Sequence, residues 1–363
     1  MEAIAECIPN LEEITKLEIK EILKKDSEIV LPGRVKFKIK DDKELANFTY
    51  ETRSSLKVYK FIEKLKFKDL ESLENEIKKI KFPEIKGSFA VKCNRKGEHG
   101  FSSNEVEKLF GDVINKDNKI KVDLKNPITI VLVDIINHDC LVGIDFSGIN
   151  LSKRPYRIKL IPQSINPCLA YCILRISEVE KKDIILDPFC KSGEIAIEAA
   201  FYLKNIPVNK LHLEKLAFTK LLDFNYKEKI NKNKLNIYAS DSLLYNLRSA
   251  EINAKIVNIN KEIDFSRQDI DWIDHKFGKN AVDKIITFPI HATKTISKNK
   301  VDKLLQEFFF QAEFLLKEKG AITILTAAPK DLERHTAKYK FKKEKEYKIN
   351  YMNQEFYIIV FKR

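Results

Sequence analysis

The sequence lacks the features of several large protein classes. It has no apolar run long enough to cross a bilayer. It has no N-terminal signal peptide pattern either, since Glu2, Glu6, Glu12 and Glu13 interrupt the apolar residues at its start. No internal repeat or low-complexity tract is visible. We therefore expect a globular, cytoplasmic protein without membrane contact.

Cysteine pairs are missing as well. The six cysteines are scattered and include no C-x-x-C pair. Cys168 and Cys172 lie four positions apart on a predicted helix, but no second Cys/His pair with zinc spacing accompanies them. The six histidines are also dispersed. We expect buried thiols in a reducing compartment and no metal site.

Acidic charge is in deficit. Lys and Arg number 66 against 53 Asp and Glu, which gives a net charge of +13 over 363 residues. A basic surplus spread over many Lys-rich segments suits a polyanionic partner, RNA or DNA. A lysine-rich composition can also reflect genome bias or solubility, so charge alone leaves the partner open. The length allows two or three domains.

One stretch organises the second half of the chain. Ile184–Leu186 is a short apolar run typical of a buried parallel strand, and Asp187-Pro188 ends it. A turn with Gly193 follows, and Glu194–Phe201 reads as a helix. Such a strand, turn and helix bring backbone N–H groups close to a bound ligand. The turn lacks the G-x-G-x-x-G pattern, which argues against a nicotinamide-dependent dehydrogenase.

The region after this stretch alternates strands with helices. Strands are predicted at 235–239, 263–265, 282–287 and 321–326, and a closing hairpin at 346–350 and 356–361, which together predict a doubly wound sheet. Asp187, Asp241 and Asp269 each follow a predicted strand. Asp241 could accept both ribose hydroxyls of a nucleoside and Asp269 an adenine amino group. Solvated loop carboxylates are the alternative.

The first 62 residues predict a small ferredoxin-like module. Its expected elements are a strand near Ala3–Cys7, a helix after Pro9, a strand at Arg34–Lys40 and an amphipathic helix at Ser54–Lys66. Beyond it, a predicted strand at Ser88–Asn94 leads into a loop that carries Arg95, Lys96, His99 and Phe101.

A basic connector joins the two halves of the chain at residues 151–165. Lys153, Arg154, Arg157 and Lys159 lie close to Tyr156. Four cations around one aromatic ring suit phosphate contact with base stacking. A solvated linker with Tyr156 packed against a domain is the alternative.

The motifs resemble those of a known family. D-P-F-C-K-S-G-E at 187–194 resembles motif I, D-P-x-C-G-S-G-T, of S-adenosylmethionine-dependent methyltransferases, and departs at Lys191, where the first Gly is expected. F-A-V-K-C-N-R-K-G-E-H-G-F-S-S-N-E-V-E, V-D-L-K-N-P and G-I-D-F-S-G-I-N-L-S-K-R-P-Y-R resemble a THUMP domain, an RNA-binding module. R-P-Y-R-I, N-P-C-L-A-Y-C-I-L-R-I and E-K-L-A-F-T-K extend the resemblance to the THUMP-containing guanine-N2 RNA methyltransferases.

The resemblance implies an α/β protein in which an N-terminal ferredoxin-like plus THUMP module precedes a Rossmann-like class I methyltransferase domain. The expected divisions are 1–62 (ferredoxin-like), 63–150 (THUMP), 151–165 (basic linker) and 166–363 (methyltransferase). It further implies methyl transfer from S-adenosylmethionine to a guanine N2 of RNA, foremost tRNA and otherwise rRNA.

The resemblance also assigns site residues. The implied cofactor-binding residues are Asn166, Asp187, Pro188, Cys190, Lys191, Ser192, Gly193, Asp241 and Asp269. The implied catalytic residues follow the fourth strand, where the family has Asn/Asp-Pro-Pro-Tyr/Phe (motif IV), and are Phe288, Pro289, Ile290 and His291. The implied RNA-binding residues are Arg95, Lys96, His99, Phe101, Lys153, Arg154, Tyr156 and Arg157.

The two altered motifs leave two hypotheses open. Phe288 replaces a side chain that would accept a hydrogen from the target amino group. The Lys191 side chain could fill the cofactor's place or pair with the cofactor's carboxylate, and a left-handed turn would strain it. The chain is then either an active methyltransferase with an atypical site, or an inactive RNA-binding protein that scaffolds modification with a protein partner.

Overall fold

The computed structural model describes residues 1–83, 85–118, 120–292, 296–351 and 354–363. These residues form two compact units. The first unit comprises Met1–Cys7, Thr15–Leu151 and His212–Lys227, and the second comprises Ile8–Ile14, Ser152–Leu211 and Glu228–Arg363. No helix within the described ranges has the length and apolar character needed to span a bilayer.

The first unit is built on a seven-stranded sheet of order β2-β3-β1-β4-β7-β6-β5. Neighbouring strands are antiparallel except β5 and β6, which are parallel. The strands are β1 (Glu2–Glu6), β2 (Ser27–Leu31), β3 (Arg34–Lys38), β4 (Lys57–Lys66), β5 (Phe89–Lys96), β6 (Thr129–Ile136) and β7 (Asp139–Asp145).

Helices and a late chain segment complete the first unit. The helices are α1 (Glu12–Leu23), α2 (Asp42–Glu51), α3 (Leu70–Ile77) and α4 (Ser103–Asn118). Only the part of α1 from Thr15 onward belongs to this unit. Asp69 begins α3 with a capping box, in which its side chain accepts from the backbone of Ser72 and the Ser72 side chain accepts from the backbone of Asp69. Two short 3-10 helices follow at Lys210–Lys215 and Ala217–Lys220. Leu216, between them, and Phe218, in the second, lie in the same apolar core as Phe89.

One predicted helix of the first unit is wrong. Residues 57–66 form strand β4, which pairs with β1 and β7, so the helix expected at Ser54–Lys66 does not form. The domain boundary expected between residues 62 and 63 therefore falls inside a strand. The helix α2, which the sequence pattern did not predict, begins after Asp41, whose Oδ1 accepts from the Glu44 backbone N–H at 2.9 Å.

The second unit also has a seven-stranded sheet, of order β10-β9-β8-β11-β12-β14-β13. The five strands from β10 to β12 are parallel to their neighbours, and β14 is antiparallel to both β12 and β13. The strands are β8 (Ile184–Asp187), β9 (Asn236–Asp241), β10 (Ile263–Arg267), β11 (Val282–Thr287), β12 (Leu316–Thr326), β13 (Lys342–Tyr351) and β14 (Gln354–Lys362). The predicted α/β class with a doubly wound sheet is confirmed.

Helices connect these strands. They are α5 (Pro167–Ile176), α6 (Glu194–Lys204), α7 (Leu244–Ile256), α8 (Lys298–Leu315) and α9 (Pro329–Lys338), with 3-10 turns at Asn260–Glu262 and Ile270–His275. Ile185 and Leu186 of β8 are buried, as the continuous apolar run predicted. β8 leads through α6 to β9 on one side, while β11 pairs on its other side. The strand order thus reverses between β8 and β11, where ligands of such sheets bind.

Candidate functional site

The carboxyl ends of β8 and β11 meet through a buried hydrogen bond. The Thr287 hydroxyl donates to Oδ1 of Asp187 at 2.6 Å, and the Phe189 backbone N–H donates to the same oxygen at 3.2 Å. Burial raises the pKa of Asp187 to about 7, against the opposing hydrogen bond from Thr287. Asp187 is the last residue of β8, where the strand order reverses.

The turn after β8 has the backbone of a glycine-rich turn. Lys191 has φ +50° and Gly193 has φ +86°, both in the left-handed region. A Cβ on Gly193 would lie 2.9 Å from the Cβ of Ala250, so both the backbone conformation and the available space require glycine here. The Cys190 backbone N–H donates to the Ser240 carbonyl at 2.9 Å and ties the turn to β9. The left-handed conformation that the motif suggested for Lys191 is present.

Asp241 organises the neighbouring strand end. Its carboxylate accepts from the Lys191 backbone N–H at 3.1 Å, from the Leu243 backbone N–H at 3.0 Å and from the Asn246 side-chain amide at 3.0 Å. Asp241 thus holds the turn in place. Asp269 is exposed and immediately precedes the 3-10 turn Ile270–His275.

Asn166 begins α5 beside this edge. Its side chain accepts from the Cys168 backbone N–H at 2.8 Å, which is an N-cap interaction. Its own backbone N–H donates to the Tyr351 hydroxyl at 2.9 Å. Tyr351, at the end of β13, was not predicted because nothing in the sequence relates it to residues 185 positions earlier.

The segment after β11 is packed with aromatic side chains. Phe288 is buried, and its ring stacks on His291 at 6.0 Å and meets Phe356 edge-on at 5.8 Å. Pro289 is buried and Ile290 is partly buried. Nδ1 of His291 is buried and has no hydrogen-bond partner within the described ranges. Burial, and secondarily the charge of Lys191, lowers the pKa of His291.

The two altered motifs touch each other. Nζ of Lys191 lies 3.5 Å from the centroid of the Phe288 ring. Lys191 is 7% exposed, and burial lowers its pKa to about 7. The space left among its neighbours is about 10 Å³, enough for one water molecule. The lining residues are Gln163, Ile165, Asp187, Phe189, Cys190, Lys191, Glu194, Ile195 and Phe288.

Glu194 lines the same space and was not among the predicted site residues. It is buried, accepts from the Ser192 hydroxyl at 2.9 Å and lies 3.7 Å from Nε of Arg157. Ser192 also hydrogen-bonds the Ser164 hydroxyl. The signal was present, because Glu194 stands where the motif I pattern ends in Thr. The stretch therefore departs from that pattern at two positions.

In the first unit, three of the predicted RNA-binding residues form an aromatic cluster. The guanidinium of Arg95 lies 5.6 Å from the Phe101 ring, and His99 lies 5.1 Å from the same ring. Phe67, which was not predicted, stacks on His99 at 6.1 Å. Lys96, the next residue of β5, is exposed, and its Nζ lies 4.0 Å from Oε1 of Glu6. Successive side chains of a strand point to opposite faces, so the structure brings Arg95, His99 and Phe101 together and places Lys96 apart from them.

The predicted RNA contacts of Arg154 and Tyr156 are wrong. Both side chains are buried in the second unit, where Nε of Arg154 lies 3.3 Å from Glu198 and the Tyr156 hydroxyl donates to Glu198 at 2.9 Å. The charge of Arg154 is thus neutralised inside the fold. Lys153 is exposed, and Arg157 is partly buried beside Glu194. Of the four RNA contacts predicted in the connector, only Lys153 and Arg157 therefore remain accessible to solvent.

Within the described ranges, no group of three or more His, Cys, Asp or Glu side chains is arranged to hold a metal ion.

Comparison with known proteins identifies two families along the chain. Residues 66–145 match the THUMP domain, and residues 154–355 match the RMKL-like methyltransferase domain. A tRNA (guanine(6)-N2)-methyltransferase of Methanocaldococcus jannaschii is 30% identical over 378 residues, covering 96% of this chain and 97% of that protein. A tRNA (guanine(6)-N2)-methyltransferase of Thermus thermophilus is 28% identical over 267 residues, covering 73% and 70%.

Solved structures share the fold. The crystal structure of TrmN from Thermus thermophilus has a TM-score of 0.76 at 24% identity and covers 100% of this chain and 99% of that one. The structure of SMU.472, a putative methyltransferase complexed with SAH, has a TM-score of 0.78 at 18% identity and covers 99% and 97%.

Proposed function

The chain belongs to the tRNA guanine-N2 methyltransferases that join a THUMP domain to an RMKL-like methyltransferase domain, and from that premise we propose that its target is guanine 6 of tRNA. The methyl donor of this family is S-adenosylmethionine. The position of the guanine is proposed because the relatives at 30% and 28% identity are both named for guanine 6.

One observation carries the proposal for the site. The turn at 190–193, Asp241 and the segment 287–291 converge where the strand order reverses between β8 and β11. These segments are far apart in the sequence, and the fold brings them to the one edge where a ligand of such a sheet binds. The rest of the site is built around this edge.

The donor set fits the cofactor. Asp241 offers a carboxylate for ribose hydroxyls, and Asp269 is exposed for an adenine amino group. Asn166, Asp187 and the turn 188–193 surround the same edge and would hold the remainder of the cofactor. S-adenosylmethionine supplies an electrophilic methyl group on a sulfonium. The Lys191 side chain lies among these groups, so it has to move before the cofactor enters.

The residues after β11 would hold the base. Phe288 and His291 present stacked rings, on which a guanine can stack in turn. The Thr287 hydroxyl donates to Asp187, and we assign the Pro289 carbonyl as the acceptor that orients the amino group. The amino nitrogen loses a proton on methylation. His291 is proposed to take it at Nδ1, which lacks a partner in the described structure and whose pKa is lowered.

The units divide the work in this proposal. Residues 63–150 hold the RNA through Arg95, Lys96, His99 and Phe101, and residues 166–363 carry out the chemistry. Residues 1–62 support the RNA-binding part through the shared sheet. Of the connector 151–165, Lys153 and Arg157 remain proposed RNA contacts.

The test is incorporation of labelled methyl from S-adenosylmethionine into tRNA. We expect incorporation into a transcript with guanine at position 6. A matched transcript with inosine there should remain unlabelled, because inosine lacks only the exocyclic amino group. Equal labelling of both transcripts would overturn the assignment.

A second candidate function is tRNA binding without methyl transfer. The contact between Lys191 and Phe288 favours it, because it fills the site at the two altered motifs. The same assay separates the two functions. Retained tRNA binding with no incorporation into any tRNA would support the second, in which a partner enzyme would do the chemistry.

A further inference from the structure

The side chain of Lys191 joins two departures from the family pattern. Lys191 replaces the first Gly of motif I, and Phe288 replaces the Asn or Asp of motif IV. In the fold, Nζ of Lys191 lies 3.5 Å from the Phe288 ring centroid, well inside the ~6 Å range of a cation–π contact. The two residues that depart from the family pattern therefore contact each other.

The backbone directs this side chain into the site. Lys191 has φ +50°, and its N–H donates to Asp241 at 3.1 Å. Glycine adopts this conformation freely, whereas a lysine is strained in it. In this conformation the Lys191 side chain contacts the Phe288 ring.

The ammonium itself is weakly held. An ammonium has three hydrogens to donate, yet Nζ of Lys191 has no hydrogen-bond partner within the described residues. The charged groups that face it are Asp187 at the end of β8, Asp241 at the end of β9, Glu194 at the start of α6 and His291 after β11. Moving to solvent would give this ammonium three hydrogen bonds with water.

We propose that the Lys191 side chain is a built-in occupant of the cofactor site and that the cofactor binds only when this side chain leaves the Phe288 ring for solvent. The inference rests on the proposed function, because it takes the family's cofactor as the ligand. The free space beside Lys191 is about 10 Å³, whereas pockets for ligands of this size enclose hundreds of Å³. The part of the cofactor that lies between Asp187, Glu194 and Phe288 can therefore enter only where the Lys191 side chain has left.

The exchange has a pH signature. Burial lowers the pKa of Lys191 to about 7, whereas a lysine in solvent has its ordinary value of 10.5. Leaving the site then takes up a proton between these two pH values, so cofactor affinity should be flat below pH 7. Above pH 7 it should fall, by up to about tenfold per pH unit, as expected for one linked proton. Asp187 and His291 titrate below or near this range, and so a lysine variant is the control.

The first experiment measures the reactivity of Lys191 in the wild-type protein. An amine-acetylating reagent and mass spectrometry give the labelling rate with and without saturating S-adenosylhomocysteine. Acetylation proceeds through the unprotonated amine, so the exposed Lys182, with its side chain 83% exposed, gives the rate expected of a lysine in solvent. We expect Lys191 to react at about the rate of Lys182 when the ligand is bound, and Lys182 to react equally in both states. A Lys191 that reacts at least tenfold more slowly than Lys182 with the ligand bound would show that the side chain stays in the site and would overturn the inference.

The second experiment measures S-adenosylhomocysteine affinity by calorimetry from pH 7 to 8.5 for wild type, Lys191→Gly and Lys191→Met. We expect Lys191→Gly to bind about tenfold tighter than wild type at pH 8, without the pH-dependent fall. Lys191→Met keeps an unbranched side chain one atom shorter and without the charge, and its affinity should also show no pH-dependent fall. Parallel pH profiles in all three proteins would overturn the inference.

Failure of the inference and failure of the proposed function look different. Tight, pH-independent binding by wild type with slow Lys191 labelling overturns the exchange and leaves the methyltransferase intact. Binding by Lys191→Gly with no methyl transfer to tRNA by any variant supports the exchange and overturns the proposed activity. No binding by any variant overturns both.

Discussion

Arg34 in the first unit and Lys191 in the second are both buried basic side chains, and their surroundings differ in opposite ways. In the first unit, Arg34 is fully buried and bonded on every side. It donates to Asp134 at 2.8 Å and to the Gly33 carbonyl at 3.0 Å, and it lies 3.0 Å from Glu6. In the second unit, Lys191 has an aromatic ring and, within the described ranges, no hydrogen bond from its ammonium.

The pKa shifts follow the same contrast. Burial lowers the pKa of Arg34, but the hydrogen bond with Asp134 and the charge of Glu6 outweigh it, so the pKa is raised. Burial also lowers the pKa of Lys191, and there the carboxylates do not compensate. A buried cation that supports the fold has partners for its donors. A buried cation without them marks a place where something else can bind.

The largest effect should come from the same substitution at both positions. Arg34→Met removes the guanidinium that pairs with the buried Asp134 and Glu6 and should lower the free energy of unfolding by about 3–5 kcal/mol. Lys191→Met should change it by less than about 1 kcal/mol, because the missing cation–π attraction is offset by relief from burying an ammonium. Urea denaturation of the full chain measures both. Equal losses of stability in the two variants would show that the two buried cations contribute alike to the fold.

The next effect concerns ligand binding in the second unit. Asp241→Ala should weaken S-adenosylhomocysteine binding by about 1–3 kcal/mol, because charge-assisted hydrogen bonds are removed. Asp134→Ala in the first unit should lower stability and leave the affinity of the folded protein unchanged. Calorimetry on both variants tests this. An unchanged affinity in Asp241→Ala would show that the strand-end carboxylate serves the turn alone.

A more gradual effect should appear as a function of pH. Asp187 has its pKa raised from 3.8 to about 7, so its contribution to stability is full below pH 3.8 and is lost as pH rises through 7. The free energy of unfolding should therefore decline between pH 4 and 7, by at most about 1.4 kcal/mol per pH unit from this one group. Asp187→Asn should show a shallower decline when both are denatured across this range. Identical slopes would contradict the shift.

The smallest effect concerns Arg95, a partly buried counterpart of Lys191 in the first unit. Arg95 stacks over Phe101 in the first unit as Lys191 does over Phe288, but it is only partly buried. Replacing Arg95 and Lys96 with Ala should weaken tRNA binding several-fold and reduce the salt slope by about 1 for each phosphate that is no longer neutralised. Lys153→Ala should act likewise, and Lys182→Ala is the matched surface control. Unchanged salt slopes would exclude these phosphate contacts.

Phe288→Asn changes the other residue of the contact between Lys191 and Phe288. It returns an acceptor to motif IV but removes the ring under Lys191, and it buries an amide where Phe288 is 4% exposed. If the site keeps the family's geometry, methyl incorporation should rise roughly tenfold or more in combination with Lys191→Gly. If the Asn finds no partner, stability should fall by about 1–3 kcal/mol with no gain in activity.

The sequence predicted local elements wherever one pattern dominated. The strand, turn and helix at 184–201 were predicted because apolar residues, a turn and an amphipathic run follow one another without ambiguity. The helix predicted at Ser54–Lys66 failed for a specific reason. A register shift between Phe61 and Glu63 breaks the alternation of β4, so the core positions Val58, Ile62 and Leu65 fall at a helix-like spacing.

The site was predictable in composition and less so in arrangement. The residues at the ends of β8, β9 and β11 follow from the rule that ligands bind at such strand ends. The burial of Arg154 could not be predicted, because its partner Glu198 lies 44 positions away. The contact of Lys191 with Phe288 was also hidden, since both were recognised only as separate departures from a pattern.

The chain leaves each unit and returns to it. Residues 8–14 belong to the second unit, where the Asn10 amide donates to the Lys348 carbonyl at 2.9 Å, and His212–Lys227 belongs to the first. On the ribosome, the first unit therefore cannot complete its core when Leu151 emerges, because Leu216 and Phe218 have not yet been synthesised. Residues 8–14 cannot complete their contacts until Lys348, near the end of the chain, has been synthesised. A contiguous fragment cut at residue 151 would leave both halves incomplete, so the two units are expected to mature together at the end of translation.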